Sequence, residues 1–154
     1  MKNIALFISF MTMGITLNSC SDHSVETVNN VPDKVILTID GTEKIFTDVS
    51  VTESTYTNAD QNIPTYNILA TNGNDNGEFV AFQIGRDYTG TDGLYEFIYT
   101  TATGSKTISD NFSFNISQNS NNRLQGNFSG PLFDNAEAET PSATVTGGSF
   151  DIYL

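Results

Sequence analysis

Between Phe112 and Ser117 apolar and polar residues alternate without a break, Phe112, Phe114 and Ile116 against Ser113, Asn115 and Ser117. An extended chain sends successive side chains to opposite faces, so a period of two marks a strand with one buried and one wet face. The same period recurs. Val80, Phe82 and Ile84 share one face, with Phe79 and Ala81 on the other. Leu124 and Phe128 oppose Arg123, Gln125 and Asn127, and Phe150, Ile152 and Leu154 lie together. No window in the body of the chain sustains a 3.6-residue apolar period, which excludes helix as its main element.

Turn residues punctuate these runs. Val35 to Ile39 is β-branched and apolar and ends at Asp40-Gly41, a two-residue hairpin signal. The returning run from Glu43 to Glu53 reads as one strand with Ile45, Val49 and Val51 on one face. A polar loop from Thr57 to Asn62 precedes a strand from Pro64 to Thr71. The turn Asn72-Gly73-Asn74-Asp75-Asn76-Gly77 then leads into Glu78 to Ile84. Gly93 opens a further strand in which Leu94 and Ile98 oppose Tyr95, Phe97 and Tyr99. About eight strands joined by short turns predict an all-β domain over 34–154. The expected form is an antiparallel β-sandwich, with a small up-and-down β-barrel as the alternative. Eleven Phe and six Tyr supply the bulk for its core.

A short echo recurs as Gly77-Glu78-Phe79, Gly126-Asn127-Phe128 and Gly148-Ser149-Phe150. The copies are unequally spaced, so they support no solenoid or propeller. Each reads as the start of a strand, with Gly turning the chain and Phe beginning the buried side.

The N-terminus is of another kind. Lys2 is followed by an apolar segment from Ile4 to Leu17, the plan of a secretory signal peptide and too short for a spanning helix. It ends Leu17-Asn18-Ser19-Cys20. This resembles a bacterial lipobox, with Leu three places before the Cys and a small residue just before it; Asn18 departs from the usual second position. The resemblance implies a signal peptide over 1–19 and a Cys20 that becomes the acylated N-terminus. Several acyl chains would supply the membrane affinity, each buried methylene contributing about 0.8 kcal/mol. Residues 20–33 are polar and aperiodic, a flexible tether by composition. Asp22 and Glu26 weakly resemble the acidic export signal of Bacteroidota surface lipoproteins. His23, the only imidazole, falls in this tether and is read as a solvated linker residue.

Leu124 to Gly130 and Val145 to Ile152 resemble small β-rich lipoproteins of Flavobacteria and their relatives. The resemblance covers roughly 93–154 and the lipobox. It implies an envelope-anchored β domain and brings no catalytic residues.

Composition narrows the chemistry. A single Cys excludes an internal disulfide framework and a cysteine-based zinc site. The formal charge is −12, and cleavage after Ser19 removes Lys2 and no acid, making it −13. Such a chain is repelled by nucleic acid. It is also repelled by anionic membrane, so a lipid would hold it near the surface better than adsorption.

Three constellations stand out. Asn72, Asn74, Asn76 and Gly77 match the middle of an EF-hand loop, but Asn72 stands where Asp is needed and Gln83 where Glu is needed. A looser calcium site could draw on Asp75, Glu78, Asp87 or Asp92; a solvated hairpin turn is the preferred reading. Tyr88 to Tyr95 could stack on sugar rings, although a β-turn leading into a strand accounts for it and the chain has no Trp. Two of the 18 carboxylates could form a glycosidase pair. The folded part has no Ser–His–Asp or Cys–His set and no phosphate loop.

The expectation is therefore a non-catalytic lipoprotein of the outer membrane, held by Cys20, facing periplasm or cell surface. It would act as an interaction or accessory subunit in an outer-membrane complex, with no cofactor and no metal site. A β module binding a small ligand or glycan in the interior or mouth of a barrel is the alternative. A hydrolase comes third.

Overall fold

The computed structural model describes residues 32–58, 61–73 and 77–154. The signal segment, Cys20, His23 and Asn74 to Asn76 lie outside them. The described residues form β1 (Lys34–Ile39), β2 (Thr42–Phe46), β3 (Asp48–Asn58), β4 (Gln61–Thr71) and β5 (Phe79–Gly85). Then follow β6 (Leu94–Thr101), β7 (Gly104–Ile108), β8 (Ser113–Ser120), β9 (Arg123–Phe133) and β10 (Ala143–Tyr153). The domain is all-β and every strand pairing is antiparallel. Asp40 and Gly41 both take positive φ, and so do Asn121 and Asn122. That is the two-residue geometry whose twist matches a hairpin, and it joins β1 to β2 and β8 to β9.

Hydrogen bonds join all ten strands into a single sheet, in the order β2-β1-β10-β9-β7-β6-β5-β4-β3. β8 pairs with β9 along the edge that β9 also offers to β7. The two ends of this path are consecutive in the chain: only Thr47 separates β2 from β3. Two Cα steps span at most about 7.6 Å, so the first and last strands must meet. The sheet rolls until its edges come together, and β1 then touches β3 across the closure. This is a barrel-like roll.

Thr47 also corrects the strand expected over Glu43 to Glu53. The run divides into two strands whose partners lie on opposite ends of the sheet, β1 for one and β4 for the other. The break shifts the alternation by one. Phe46 is fully buried and Ile45 is 48% exposed, while Val49 and Val51 pack on the core. β7 completes the ten strands and carries no apolar alternation of its own.

The interior is filled by aromatic rings from both walls of the roll. Phe82 on β5 lies with its centroid 5.3 Å from Phe150 on β10 and 6.0 Å from Phe114 on β8. Phe97 on β6 lies 5.1 Å from Phe128 on β9 and 4.9 Å from Phe112. Fully burying a side chain of this size contributes about 1.5–3 kcal/mol.

Candidate functional site

The two ends of the roll differ. At the end carrying the Asp40-Gly41 turn, inward-facing Lys44, Glu78 and Tyr99 close the core. The Tyr99 hydroxyl donates to Glu78 Oε1 at 2.5 Å, and Lys44 Nζ lies 3.0 Å from the same oxygen. Burial and then the Glu78 hydrogen bond push the Tyr99 phenol well above its usual range. This is a paired, closed polar plug.

The opposite end is built from the far part of the β3–β4 hairpin, the loop 86–93 and the β8–β9 turn. β3 and β4 pair all the way to Asn58 and Gln61, whereas β5 accompanies β4 only from Thr65. Residues 55–58 and 61–64 therefore project as a two-stranded ribbon, and the polar loop expected over Thr57 to Asn62 is mostly strand. Loop 86–93 is tied down at several points. Gly85 N donates to Gly93 O at 2.8 Å and Arg86 N to Pro64 O at 2.9 Å. Gly90 and Ile116 exchange two backbone bonds of 2.8 and 2.9 Å, so the loop occupies the open edge of β8. Buried Asn119 donates through Nδ2 to Gly85 O and to Tyr88 O, both at 3.0 Å. An amide so spent exchanges water for two protein carbonyls and holds the loop against β8.

On the inner side of the β3–β4 pair, where the ribbon leaves the sheet, lies a cleft of about 440 Å³ lined by Val51, Glu53, Tyr66, Arg86, Asn119 and Asn121 among others. Glu53 and Tyr66 are opposite one another in the β3–β4 ladder. Arg86, just past β5, reaches back to both: Nη1 is 3.1 Å from Glu53 Oε2, and the guanidinium lies 5.5 Å from the Tyr66 ring centroid. Asp87 and Asn122 complete its rim.

On the outer side, tyrosines gather. Tyr56 from the ribbon and Tyr95 from β6 have ring centroids 4.6 Å apart. Burial, then the charge and hydrogen bond of Tyr88, raise the Tyr95 phenol above its ordinary value. Tyr88 itself is 43% exposed. It is seated over glycine backbone, since a Cβ on Gly85 would come within 2.6 Å of its ring. Tyr56, Tyr66, Tyr88 and Tyr95 thus lie at the same end as Arg86.

The residues singled out in the sequence are distributed otherwise. Of the loose calcium set, Glu78 is engaged by Tyr99 and Lys44 at one end, while Asp87 and Asp92 lie at the other. The whole of β5 stands between, roughly 20 Å of strand. Asp92 accepts from Thr91 Oγ1, and among the described residues no group of three acidic, His or Cys side chains could hold a metal ion. Tyr88 and Tyr95, proposed as sugar-stacking, do come together. Glu53, Tyr56, Tyr66, Arg86 and Asn119 were not singled out by sequence reasoning, because they come from four separate stretches of chain. The one available signal was Arg86, a rare cation directly beside the aromatic loop.

Compared with known protein families, with curated proteins and with solved structures, the chain finds a match in none of the three.

Proposed function

We propose that this protein is a lipid-anchored domain of the bacterial outer membrane that acts, without catalysis of its own, as an interaction or accessory subunit. The observation that carries the reading is the gathering of Tyr56, Tyr88 and Tyr95 on one outer surface. Tyrosine is among the side chains that most often dominate binding energy at protein interfaces. A tyrosine gives a large contact area for few rotatable bonds, and its hydroxyl tolerates water before the partner arrives. In this reading Cys20 carries the acyl chains and 20–33 is the tether. The mature charge of −13 keeps the domain off the anionic bilayer, so the aromatic end is left accessible to a partner.

The test is co-purification of the full-length protein from lightly crosslinked membranes, beside a Tyr56→Ser/Tyr88→Ser variant. A specific outer-membrane protein should be recovered with the wild type and lost with the variant. Repeated recovery of the wild type as a free monomer would refute the role.

A further inference from the structure

We infer that the cleft on the inner side of the β3–β4 pair, where the ribbon begins, is a binding site for a short, neutral saccharide. The inference goes beyond the interaction role and does not depend on it, because it uses other side chains on the opposite face of the β3–β4 ribbon.

Size and lining come first. The cleft measures about 440 Å³. That lies within the roughly 300–1,000 Å³ usual for ligand pockets. Its walls are polar and apolar in about equal measure, as the two sides of a sugar are: Glu53, Arg86, Asp87, Asn119 and Asn121 line it, beside Tyr66, Val51 and Leu154. Charge then narrows the ligand. Glu53 and Arg86 neutralise each other at 3.1 Å, which leaves Asp87 as the surplus. An anion would meet the Asp87 and Glu53 carboxylates, and a cation would meet Arg86. A polyol meets neither penalty. Each hydroxyl both donates and accepts, so neighbouring hydroxyls can bond a carboxylate and a guanidinium or amide at once. Tyr66 adds apolar surface to the wall, and Arg86, lying over its ring, fixes the orientation of that side chain.

The site is also set before any ligand arrives. Asn119 is only 7% exposed and holds the end of β5 through Gly85 and loop 86–93 through Tyr88. Asn121 and Asn122 sit in a left-handed two-residue turn between β8 and β9. Side chains held on such walls lose little freedom on binding, which is where small polar ligands otherwise lose affinity.

The test uses the full-length protein in detergent on an array of neutral and uronic-acid oligosaccharides, with Arg86→Met and Asn121→Gly variants. Gly accepts the same positive φ, so Asn121→Gly keeps the turn and removes only the amide. Neutral saccharides should bind saturably and acidic ones should not. Apparent affinity should fall about tenfold or more in Arg86→Met, which loses a charged donor. Asn121→Gly should weaken binding at an unchanged melting temperature. Tyr56→Ser/Tyr88→Ser should bind the array as the wild type does. Absence of any saturable signal, preference for uronic acids, or equal binding by Arg86→Met and Asn121→Gly would each overturn the assignment.

Discussion

Phe128 lies directly across the β9–β10 ladder from Gly148, with its ring in the space where a Cβ on that glycine would stand. The relationship is reciprocal. Phe150 is paired with Gly126 and, together with the Asn115 carbonyl, fills the corresponding space there. Two Gly-x-Phe segments running antiparallel must place each Phe opposite the other's Gly, and this is the meaning of two copies of the echo. Neither glycine turns the chain. Both sit mid-strand without positive φ, unlike Gly77 in the first copy, whose φ of 70° does make a turn.

Gly126→Ala and Gly148→Ala should therefore each destabilise the domain by about 1–3 kcal/mol through overpacking. Gly147 is the control. Its φ is not positive, and a Cβ there meets nothing within 4 Å, so Gly147→Ala should stay within about 0.5 kcal/mol of the wild type. Urea unfolding of the three variants decides the matter. Equal effects at 147 and 148 would mean that the rings do not need the space.

The Tyr99 phenol keeps its proton more tightly in the fold than in the unfolded chain, where it ionises near pH 10. The stability it contributes is complete below about pH 10 and is lost as pH rises through the folded value. Tyr99→Phe should cost about 0.5–2 kcal/mol at neutral pH by removing the hydroxyl's bond to Glu78. It should also flatten the alkaline fall in stability. Parallel alkaline limbs for variant and wild type would dismiss Tyr99 as the group responsible.

On the outer face, Arg123 Nε and Nη2 bind the two oxygens of Asp151 at 2.9 and 2.7 Å. This two-pronged hydrogen bond holds the Asp151 carboxyl below its usual range. Its contribution is present above the unfolded value near pH 4 and disappears as pH falls through the lower folded value. Because the pair is partly solvated, Asp151→Asn should cost under about 1 kcal/mol at pH 7. Denaturation at acid pH should then show the variant and the wild type converging.

Asn119→Ala removes the side-chain bonds from β8 to the end of β5 and to loop 86–93, leaving the Gly85 and Tyr88 carbonyls to find water. The expected loss is about 1–3 kcal/mol, with faster hydrogen exchange at the Gly90 amide that bonds Ile116. Unchanged exchange at Gly90 would show that the loop is held by its backbone bonds alone.

Cys20→Ala should move the protein from the membrane to the soluble fraction, because the acyl chains are the proposed source of its membrane affinity. A variant that still sediments with outer membranes would remove the lipid anchor from the picture.

Much of the sheet was legible residue by residue. Val80, Phe82 and Ile84 are buried as their alternation announces, as are Leu124, Phe128, Phe150 and Ile152. Asp40-Gly41 forms the expected turn. The failures have causes of one kind. Phe46 was misplaced because the run 43–53 looks continuous, and only its partners, β1 and then β4, reveal the break at Thr47. β7 was invisible because Gly104 to Ile108 are exposed or half-buried, and no apolar face is inscribed there. In the candidate site Tyr88 and Tyr95 could be suspected from their neighbours, but Tyr56, Tyr66 and Glu53 could not.

What the sequence determined by itself is the all-β character, the antiparallel style and the inward set of most strands. These depend on alternation and turn chemistry among residues a few positions apart. Tertiary structure alone decided that the strands form one rolled sheet, that two Gly-x-Phe segments interlock, and that a polar cleft and a tyrosine surface share one end. Each of these is a pairing of residues distant in the chain. A period of two says which way a side chain points, and it carries no label for the strand that will lie beside it.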